Sequence, residues 1–322
     1  MRELPRFPLA ALPTPLTRAR RLELALQCPP LYVKRDDLTG FAVAGNKARK
    51  LEFLLADARV RGCDAVVTGG GPSSNHVAAT AVAARVANLS CHLILYGAAP
   101  EDPPAVLALA ERSGATLHYT GSLDRASVDP ALDELAQKLA ADGGRPYVVP
   151  RGGATPVGSV GYAAAVSELA AQLDELNIRP EALLVATGSC GTQAGLIVGT
   201  LAGGHRWRVI GASVSRPVEE CRIRTLELGR GCAALLDTPV PDVDDIEICD
   251  ARGPGFGLPS PAASQMADLA AACEGLLLDP VYTAKALAEL PALVAAGLSQ
   301  PIVWWHTGGL PAALFPSGEI GS

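Results

Sequence analysis

Apolar, β-branched segments alternate along most of the chain with alanine- and leucine-rich segments of helical spacing. One example runs from CHLILYGA through PPAVLALAERSGA to ATLHYT, over residues 91–120. Strands that alternate with helices in this way indicate parallel sheets covered by helices on both faces. The pattern therefore predicts an α/β fold with open twisted sheets, and no internal repeat of solenoid period interrupts it.

The turn GGGPSSNH, residues 69–76, lies between an apolar strand pattern and an alanine-rich helical pattern. It places backbone N–H groups, the Ser74 hydroxyl, the Asn75 amide and the His76 imidazole at a helix N-terminus. Such a group of donors suits a bound carboxylate or another anion. The alternative is an ordinary helix cap, in which Ser74 or Asn75 caps the helix and His76 is merely exposed.

A second strand pattern, residues 183–186, ends in a glycine-containing turn before another helix. The turn comprises Thr187, Gly188, Ser189, Cys190, Gly191 and Thr192. Glycines allow the backbone to wrap closely round a phosphate, whose oxygens the amides and hydroxyls would satisfy. The turn lacks the lysine of a Walker loop and the acidic partner of a dinucleotide fingerprint. A monophosphate is therefore the predicted ligand, and a turn with no ligand is the alternative.

Lys47 is the candidate for covalent chemistry. The segment GNKARKLEFLL, residues 45–55, places it where a Gly-Asn turn leads into an amphipathic helix. The positive end of the helix dipole disfavours a charged ammonium there, so we expect a lowered pKa and attack on a carbonyl. A solvated helix lysine is the alternative.

Two segments near the C-terminus carry further hydroxyls at strand or turn ends, LLLDPVYT over residues 276–283 and IVWWHTGG over residues 302–309. A reactive lysine, an anion-binding turn, a phosphate loop and these polar ends together are what an enzyme of pyridoxal phosphate requires.

Seven motifs follow one another along nearly the whole chain: TPL, VKRDDLTG, GNKARK, SSNH, TGSCGTQAG, LDPVYTAKAL and HTGG. With them the chain resembles the D-cysteine desulfhydrase and 1-aminocyclopropane-1-carboxylate deaminase family, among the tryptophan-synthase-β-like (fold type II) enzymes of pyridoxal 5′-phosphate. The resemblance implies two α/β domains, a smaller one over residues 50–157 and a larger one from residues 1–49 and 158–322. The cofactor is expected in the cleft between them, at the carboxyl ends of strands.

The resemblance also implies roles for individual residues. It makes Lys47 the lysine that binds the cofactor and removes the substrate's α-proton, with Asn46 beside the cofactor's 3′-oxygen. Lys50 matches a second lysine near the site, and Tyr282 matches the active-site tyrosine. The remaining matches are the substrate-carboxylate turn Ser74, Asn75 and His76, the phosphate loop Gly188, Ser189, Gly191 and Thr192, and Thr307, which faces the pyridine nitrogen.

Three positions separate the two branches of this family. Deaminases resemble one another in carrying Glu just after the active-site tyrosine and Leu before the final Gly-Gly, where this chain has Thr283 and Thr307. A hydroxyl at the ring nitrogen strengthens the electron sink less than a carboxylate does, which favours elimination of a good leaving group. His76 also matches the desulfhydrases, since the deaminases carry Gln there.

We therefore expect β-elimination on a small amino acid, foremost conversion of D-cysteine to pyruvate, ammonia and sulfide. An L-cysteate sulfo-lyase or another β-lyase is the first alternative, and a 1-aminocyclopropane-1-carboxylate deaminase is the next. From a different class, a catalytically silent anion-binding protein of the same fold would keep the glycine loop but would not need Lys47.

Three residues depart from the family pattern. Phe256, in GPGFGLPS, stands where the family generally carries a tyrosine that contacts substrate, so a hydroxyl is missing from the pocket. Arg151 either meets an additional anionic group such as a sulfonate or forms a surface salt bridge. Cys190 either changes specificity or fills space as a small apolar side chain.

Composition excludes several other functions. A net charge of −6, a pI near 5.4 and dispersed basic residues argue against a nucleic-acid partner. No apolar run reaches transmembrane length and no signal peptide is recognisable, so we expect a cytoplasmic protein with no membrane partner. The eight cysteines show neither zinc spacing nor a disulfide framework, and no metal is expected. The expected partners are a small amino-acid substrate and, from the resemblance, a second copy in a homodimer.

Overall fold

The computed structural model describes residues 1–314. The strands in this range are β1 (Leu16–Arg18), β2 (Leu31–Arg35), β3 (Ala65–Gly70), β4 (Ser90–Leu95), β5 (Thr116–Tyr119), β6 (Pro146–Val149), β7 (Ala182–Thr187), β8 (Arg208–Ser213), β9 (Glu247–Asp250) and β10 (Ile302–His306). The helices are α1 (Arg20–Leu26), α2 (Asn46–Val60), α3 (Asn75–Val86), α4 (Ala105–Arg112), α5 (Val128–Ala141), α6 (Pro156–Glu175), α7 (Gly191–Ala202), α8 (Val218–Leu236), α9 (Pro261–Glu274), α10 (Thr283–Ala288), α11 (Leu290–Ala295) and α12 (Leu310–Leu314). None of these helices combines the length and the apolar composition needed to cross a membrane.

The larger sheet has six strands in the order β1-β2-β10-β7-β8-β9, and all neighbours are parallel except β1 and β2. Trp304 and Trp305 follow one another in β10, so their side chains point to opposite faces of the sheet. Both are fully buried. Trp304 packs in the core that includes residues of α1, α9 and α10, and Trp305 in the core that includes residues of α6 and α7. Helices thus cover both faces, as the sequence pattern predicts.

The smaller sheet has four parallel strands in the order β5-β4-β3-β6. Val66 packs against residues of α2, α3 and α4 on one face, and its neighbour Val67 packs against α5 on the other. This sheet lies within the predicted smaller domain, residues 50–157, and the larger sheet is built from chain on either side of it. The α/β prediction is confirmed. The exact domain boundaries stay a prediction, and the boundary after residue 49 falls inside α2.

Helix α2 contacts both halves of the molecule. Leu54 packs in the core of the smaller sheet, whereas Arg49 reaches into the larger half of the molecule. Its Nε donates to Asp36 Oδ2 at 2.8 Å and its Nη1 to Glu168 Oε2 at 2.9 Å. Asp36 is fully buried and also accepts from the Tyr162 hydroxyl at 2.7 Å. These charge-assisted bonds fix the orientation of α2 against the larger sheet.

The carboxyl ends of β3, β7 and β10 lead into the polar turns identified in the sequence. The N-terminus of α2 contacts the turn after β10, where the backbone N–H of Asn46 donates to the Thr307 carbonyl at 2.8 Å. Gly45 makes this approach possible, because its φ of +54° is left-handed and a Cβ there would collide with the Thr307 carbonyl. Lys47 therefore lies at the same edge of the larger sheet as the turns that follow β7 and β10.

Candidate active site

Lys47 lies in the first turn of α2 with a half-buried side chain. Its Nζ donates to Oδ1 of Asn46 at 2.7 Å. Loss of water around the amine lowers the pKa of Lys47 to about 8, and the nearby Asp279 carboxylate opposes that shift. The lowered pKa expected from the sequence is thus present, with burial as its main cause. An appreciable share of this amine is neutral near pH 7 to 8, as a nucleophile requires.

Asn46 connects the lysine helix to both neighbouring loops. Its side-chain Nδ2 donates to the Thr192 hydroxyl at 3.1 Å, in the first turn of α7, while its backbone binds the Thr307 carbonyl. Lys47, Asn46, Thr192 and Thr307 therefore form one connected group, although they lie up to 261 positions apart in the chain. The first-turn amides of α7 have no partners within the helix, so they are available to an anion.

Lys50 lies beneath the glycine loop. Its side chain is buried, its Nζ donates to the Gly152 carbonyl at 3.2 Å, and a Cβ at Gly191 would lie 3.2 Å from that Nζ. Burial and then the charge of Lys47 hold the pKa of Lys50 well below its usual range. Among the described residues no carboxylate forms an ion pair with Lys50. A phosphate on the loop would supply the missing negative charge.

Two side chains of the glycine loop, those of Thr187 and Cys190, make contacts within the protein. The Thr187 hydroxyl donates to Gln193 Oε1 at 3.0 Å, and Thr187 is almost completely buried. Cys190 has a left-handed φ of +72°, and its buried thiol packs in a small core with Cys221. A hydrogen bond between the two thiols, together with burial, raises the pKa of Cys190. Cys190 therefore fills space, and only the backbones of Thr187 and Cys190 remain to meet a ligand.

The predicted anion turn is assembled at the N-terminus of α3, where Ser74 is the cap. His76 is buried rather than exposed, and its Nε2 lies 2.9 Å from the Thr68 hydroxyl. That hydroxyl donates its proton to the Val149 carbonyl, so Nε2 must be the protonated nitrogen. Burial and the charges of Lys47 and Lys50 keep the pKa of His76 well below its usual range.

The neutral His76 leaves Nδ1 as an acceptor, and this buried atom has no partner among the described residues. Asn75 Oδ1 is in the same situation. Buried polar atoms without partners are uncommon, and water or a bound ligand can satisfy them. Because Nδ1 accepts but does not donate, His76 in this state does not itself hold a carboxylate. The Ser74 hydroxyl, the Asn75 side-chain Nδ2 and the backbone of the turn are the donors that remain for a carboxylate.

Tyr282 is positioned by Asp279, a residue that the sequence analysis did not select. The buried carboxylate of Asp279 accepts hydrogen bonds from the backbone of Val281, Tyr282 and Thr283 and from the Thr283 hydroxyl, at 2.7 to 3.1 Å. This turn presents the Tyr282 ring to the glycine loop, where a Cβ at Gly188 would lie 3.0 Å from Cε1 of the ring. The segment 276–278 forms neither a strand nor a helix.

Phe256 lies beside Tyr282, with the two rings edge to face at 6.0 Å between centroids. Its loop is held by the buried Lys285, whose Nζ donates to the carbonyls of Arg252 and Gly255 at 2.7 and 2.8 Å. The guanidinium of Arg125 lies 4.6 Å over the Phe256 ring. Phe256 thus lies next to Tyr282, and its contact with substrate stays a prediction.

Arg151, the third residue that departs from the family pattern, forms a salt bridge. Its Nε donates to Asp129 Oδ1 at 2.8 Å, and its Nη1 donates to the Arg125 carbonyl at 3.1 Å. Sequence reasoning missed Arg125 and also Tyr96, whose hydroxyl would lie 2.7 Å from a Cβ at Gly71. Tyr96 directly follows β4, so its place at a strand's carboxyl end was a usable signal. Arg125 lies in a polar turn that carries no such signal.

The assembled residues fit pyridoxal 5′-phosphate. Lys47 offers a nucleophilic amine, and the loop from Gly188 to Thr192 offers backbone donors at a helix N-terminus. The buried Lys50 has no negative partner among residues 1–314, and within the same range Asn75 Oδ1 and His76 Nδ1 are buried without hydrogen-bond partners. These groups come from both sheets, so the site lies where the two halves of the molecule meet.

Comparison with known proteins agrees with this geometry. A family model of pyridoxal-phosphate dependent enzymes matches residues 8–308. The chain is 39% identical to the D-cysteine desulfhydrase of Salmonella newport in an alignment of 319 positions that covers 96% of this chain and 95% of that protein. It is also 39% identical over 319 residues to a Pyrococcus abyssi protein with the provisional name 1-aminocyclopropane-1-carboxylate deaminase, covering 98% of this chain and 94% of that one.

Solved structures extend the similarity to the fold. A homologue of 1-aminocyclopropane-1-carboxylate deaminase superposes with a TM-score of 0.89 at 34% identity, over 96% of this chain and 93% of that one. A bacterial threonine deaminase superposes with a TM-score of 0.68 at 21% identity, over 92% of both chains, which bears on the fold alone. The predicted fold type II architecture is confirmed.

Proposed function

This chain belongs to the family of pyridoxal-phosphate dependent enzymes, and from that premise we propose that it is a carbon–sulfur lyase whose foremost substrate is D-cysteine. It is a pyridoxal-phosphate dependent lyase of the D-cysteine desulfhydrase and 1-aminocyclopropane-1-carboxylate deaminase family. The finer assignment concerns the substrate. The products would be pyruvate, ammonia and sulfide.

The cofactor, when bound, supplies an electron sink for the negative charge that develops at the substrate's α-carbon. The chain's own residues divide the remaining work. The Ser74 hydroxyl and the Asn75 amide hold the substrate carboxylate at the N-terminus of α3. Lys47, with its lowered pKa, would accept the substrate's α-proton at Nζ. The Tyr282 hydroxyl would protonate or orient the departing group.

The observation that favours D-cysteine over ring opening is that two carboxylates near residues 306–309, those of Asp37 and Asp279, are already engaged within the protein. Asp37 Oδ2 lies 4.0 Å from His306 Nε2 and pairs with Arg35. Thr307 would face the cofactor's ring nitrogen with a hydroxyl. Asp279 lies nearby, but its two oxygens accept four hydrogen bonds from its own turn, one of them from the Thr283 hydroxyl. A ring nitrogen met by a hydroxyl gives a weaker sink. Such a sink suffices when a good leaving group stands at the β-carbon.

The test is a substrate panel on the purified holoenzyme. D-cysteine, L-cysteine, β-chloroalanine, L-cysteate and 1-aminocyclopropane-1-carboxylate are compared by kcat/KM, with pyruvate, 2-oxobutanoate and the sulfur product measured. The proposal expects sulfide and pyruvate from D-cysteine to give the largest value. Faster formation of 2-oxobutanoate from 1-aminocyclopropane-1-carboxylate would establish the deaminase instead.

A further inference from the structure

A line of three side chains leads outward from the phosphate loop. Tyr282 packs on Gly188, Phe256 packs edge to face with Tyr282, and Arg125 lies over Phe256. Tyr282 and Phe256 are each 39% exposed, although both rings have packing partners. Arg125 comes from the smaller-sheet side, directly before α5, and the two rings come from the larger side.

The Arg125 guanidinium has unused hydrogen-bonding capacity. It is half-buried, and among residues 1–314 no carboxylate forms an ion pair with it and no oxygen accepts a hydrogen bond from it. A guanidinium stacked on an aromatic face still has its N–H donors in its own plane, where they can meet an anion. Arg151 differs in this respect, because Asp129 already occupies its donors.

The backbone of Arg125 is fixed at two points. Asp124 caps the short turn by accepting from the Ala126 amide at 2.9 Å, and Arg151 donates to the Arg125 carbonyl. A side chain that projects from a braced turn loses less conformational freedom when it binds a ligand. Its charge also acts within the site: enclosure raises the pKa of the Tyr282 hydroxyl above its usual range, and Arg125 opposes that rise.

We propose that Arg125 is a specificity-determining residue that strengthens the binding of amino acids whose β-substituent carries a negative charge relative to isosteric neutral ones, while the leaving group at the β-carbon sets the rate of elimination. The inference rests on the proposed function, because it places the β-substituent on the Tyr282 side of the site. Phe256 brings no hydroxyl to this side, so the polar recognition comes from Arg125 across the cleft. A carboxylate or a sulfonate of suitable size would accept two hydrogen bonds from the guanidinium.

The experiment measures binding as well as turnover. Aspartate and asparagine are nearly isosteric and differ in the charge of the β-substituent, so the ratio of their Kd values isolates that charge. Each is titrated into the holoenzyme while the cofactor absorption is followed. Both the D and the L enantiomers are titrated into the wild type first, and the enantiomeric series that binds more tightly is used for all variants. The variants are Arg125→Gln and Arg125→Lys. Arg85→Gln is the control, since it removes the same charge from the exposed end of α3.

The wild type should bind aspartate more tightly than asparagine, and Arg125→Gln should reduce this preference by about ten-fold or more. Arg125→Lys should retain most of it, and Arg85→Gln should leave it unchanged. Equal weakening of both ligands in Arg125→Gln would make Arg125 a contact between the two halves of the molecule and overturn the proposal. A wild type without preference for aspartate would overturn it too.

Pyruvate release from the neutral substrate β-chloroalanine separates this inference from the proposed function. If the charge preference is present and depends on Arg125 while β-chloroalanine is not turned over, the lyase assignment is wrong and the specificity assignment stands. If β-chloroalanine is turned over and Arg125→Gln leaves the ratio of Kd values unchanged, only the role of Arg125 is wrong.

Discussion

The side chain of Asn46 donates a hydrogen bond to the hydroxyl of Thr192 at 3.1 Å, which ties the helix of the reactive lysine to the helix that begins at the phosphate loop. The same Asn46 side chain accepts, at its amide oxygen, from Lys47 Nζ at 2.7 Å. The distance between the amine and the phosphate loop is therefore set by a hydrogen-bonded path of two side chains. A cofactor bound at both ends depends on that distance.

Thr192→Val should weaken cofactor binding, because it removes both the acceptor for Asn46 and a donor at the phosphate loop. We expect a rise of about ten-fold in the Kd of pyridoxal phosphate, from loss of one or two hydrogen bonds. Thr200→Val is a matched control, since Thr200 is a buried residue of the same helix whose hydroxyl has no partner among the described residues. An equal effect in both variants would attribute the loss to helix packing.

Lys47 should react with the cofactor according to its lowered pKa. Only the neutral amine attacks an aldehyde, so the rate of cofactor incorporation into the apoenzyme should rise about ten-fold per pH unit below the pKa and level off above it. Stopped-flow absorbance from about pH 6 to 10.5 measures the midpoint, which we expect near the pKa of about 8. A rate still rising at about pH 10 would show an ordinary, solvated lysine.

Arg49→Ala should strongly destabilise the protein. The substitution leaves the buried carboxylate of Asp36 without its cation, a loss of about 3–5 kcal/mol in the free energy of unfolding. Arg179→Ala, which breaks the exposed pair with Asp174, should cost only about 0–1 kcal/mol. Urea denaturation followed by tryptophan fluorescence compares the two. Similar midpoints would mean that the Asp36 network does not fix α2 as described.

Phe256→Tyr should shift the ratios of kcat/KM among β-substituted alanines and leave cofactor affinity unchanged. A hydrogen bond gained or lost at substrate is worth about 0.5–1.5 kcal/mol when neutral, which is a several-fold change. Lys285→Met serves as a companion, because it frees the carbonyls of Arg252 and Gly255 and should raise KM by loosening the same loop. Flat specificity ratios in Phe256→Tyr would place residue 256 outside the substrate's reach.

Much of the site could be predicted from the sequence because its parts lie in continuous motifs. The strand-turn-helix patterns around Gly188 and Ser74 and the turn before Lys47 each state a local structure, and parallel sheets bring such turns to one edge. The segment 276–278 could not be assigned from its apolar character. Leu276 and Leu278 are buried in the core with α9, whereas Leu277 is 43% exposed, so the apolar run reflects packing and not strand pairing.

The parts that escaped prediction depend on contacts between distant segments. Nothing near Arg125 in the sequence indicates that it meets Phe256, which is 131 positions away. The protonation state of His76 follows from Thr68 and Val149, and burial by the fold, more than the helix end, sets the pKa of Lys47. The sequence around Asp279 is that of an ordinary turn, and only the folded structure brings four hydrogen-bond donors to its carboxylate.

The most direct measurement of the central claim is the identity of the lysine that carries the cofactor. The holoenzyme is reduced with borohydride and digested, and the modified peptide is sequenced by mass spectrometry. We predict the label on Lys47 alone, with Lys47→Ala abolishing both the yellow colour and sulfide release from D-cysteine. Lys50 is the main alternative, since it lies one helical turn from Lys47 and its pKa is also lowered. A label on Lys50 or any other lysine in the wild type would contradict the account.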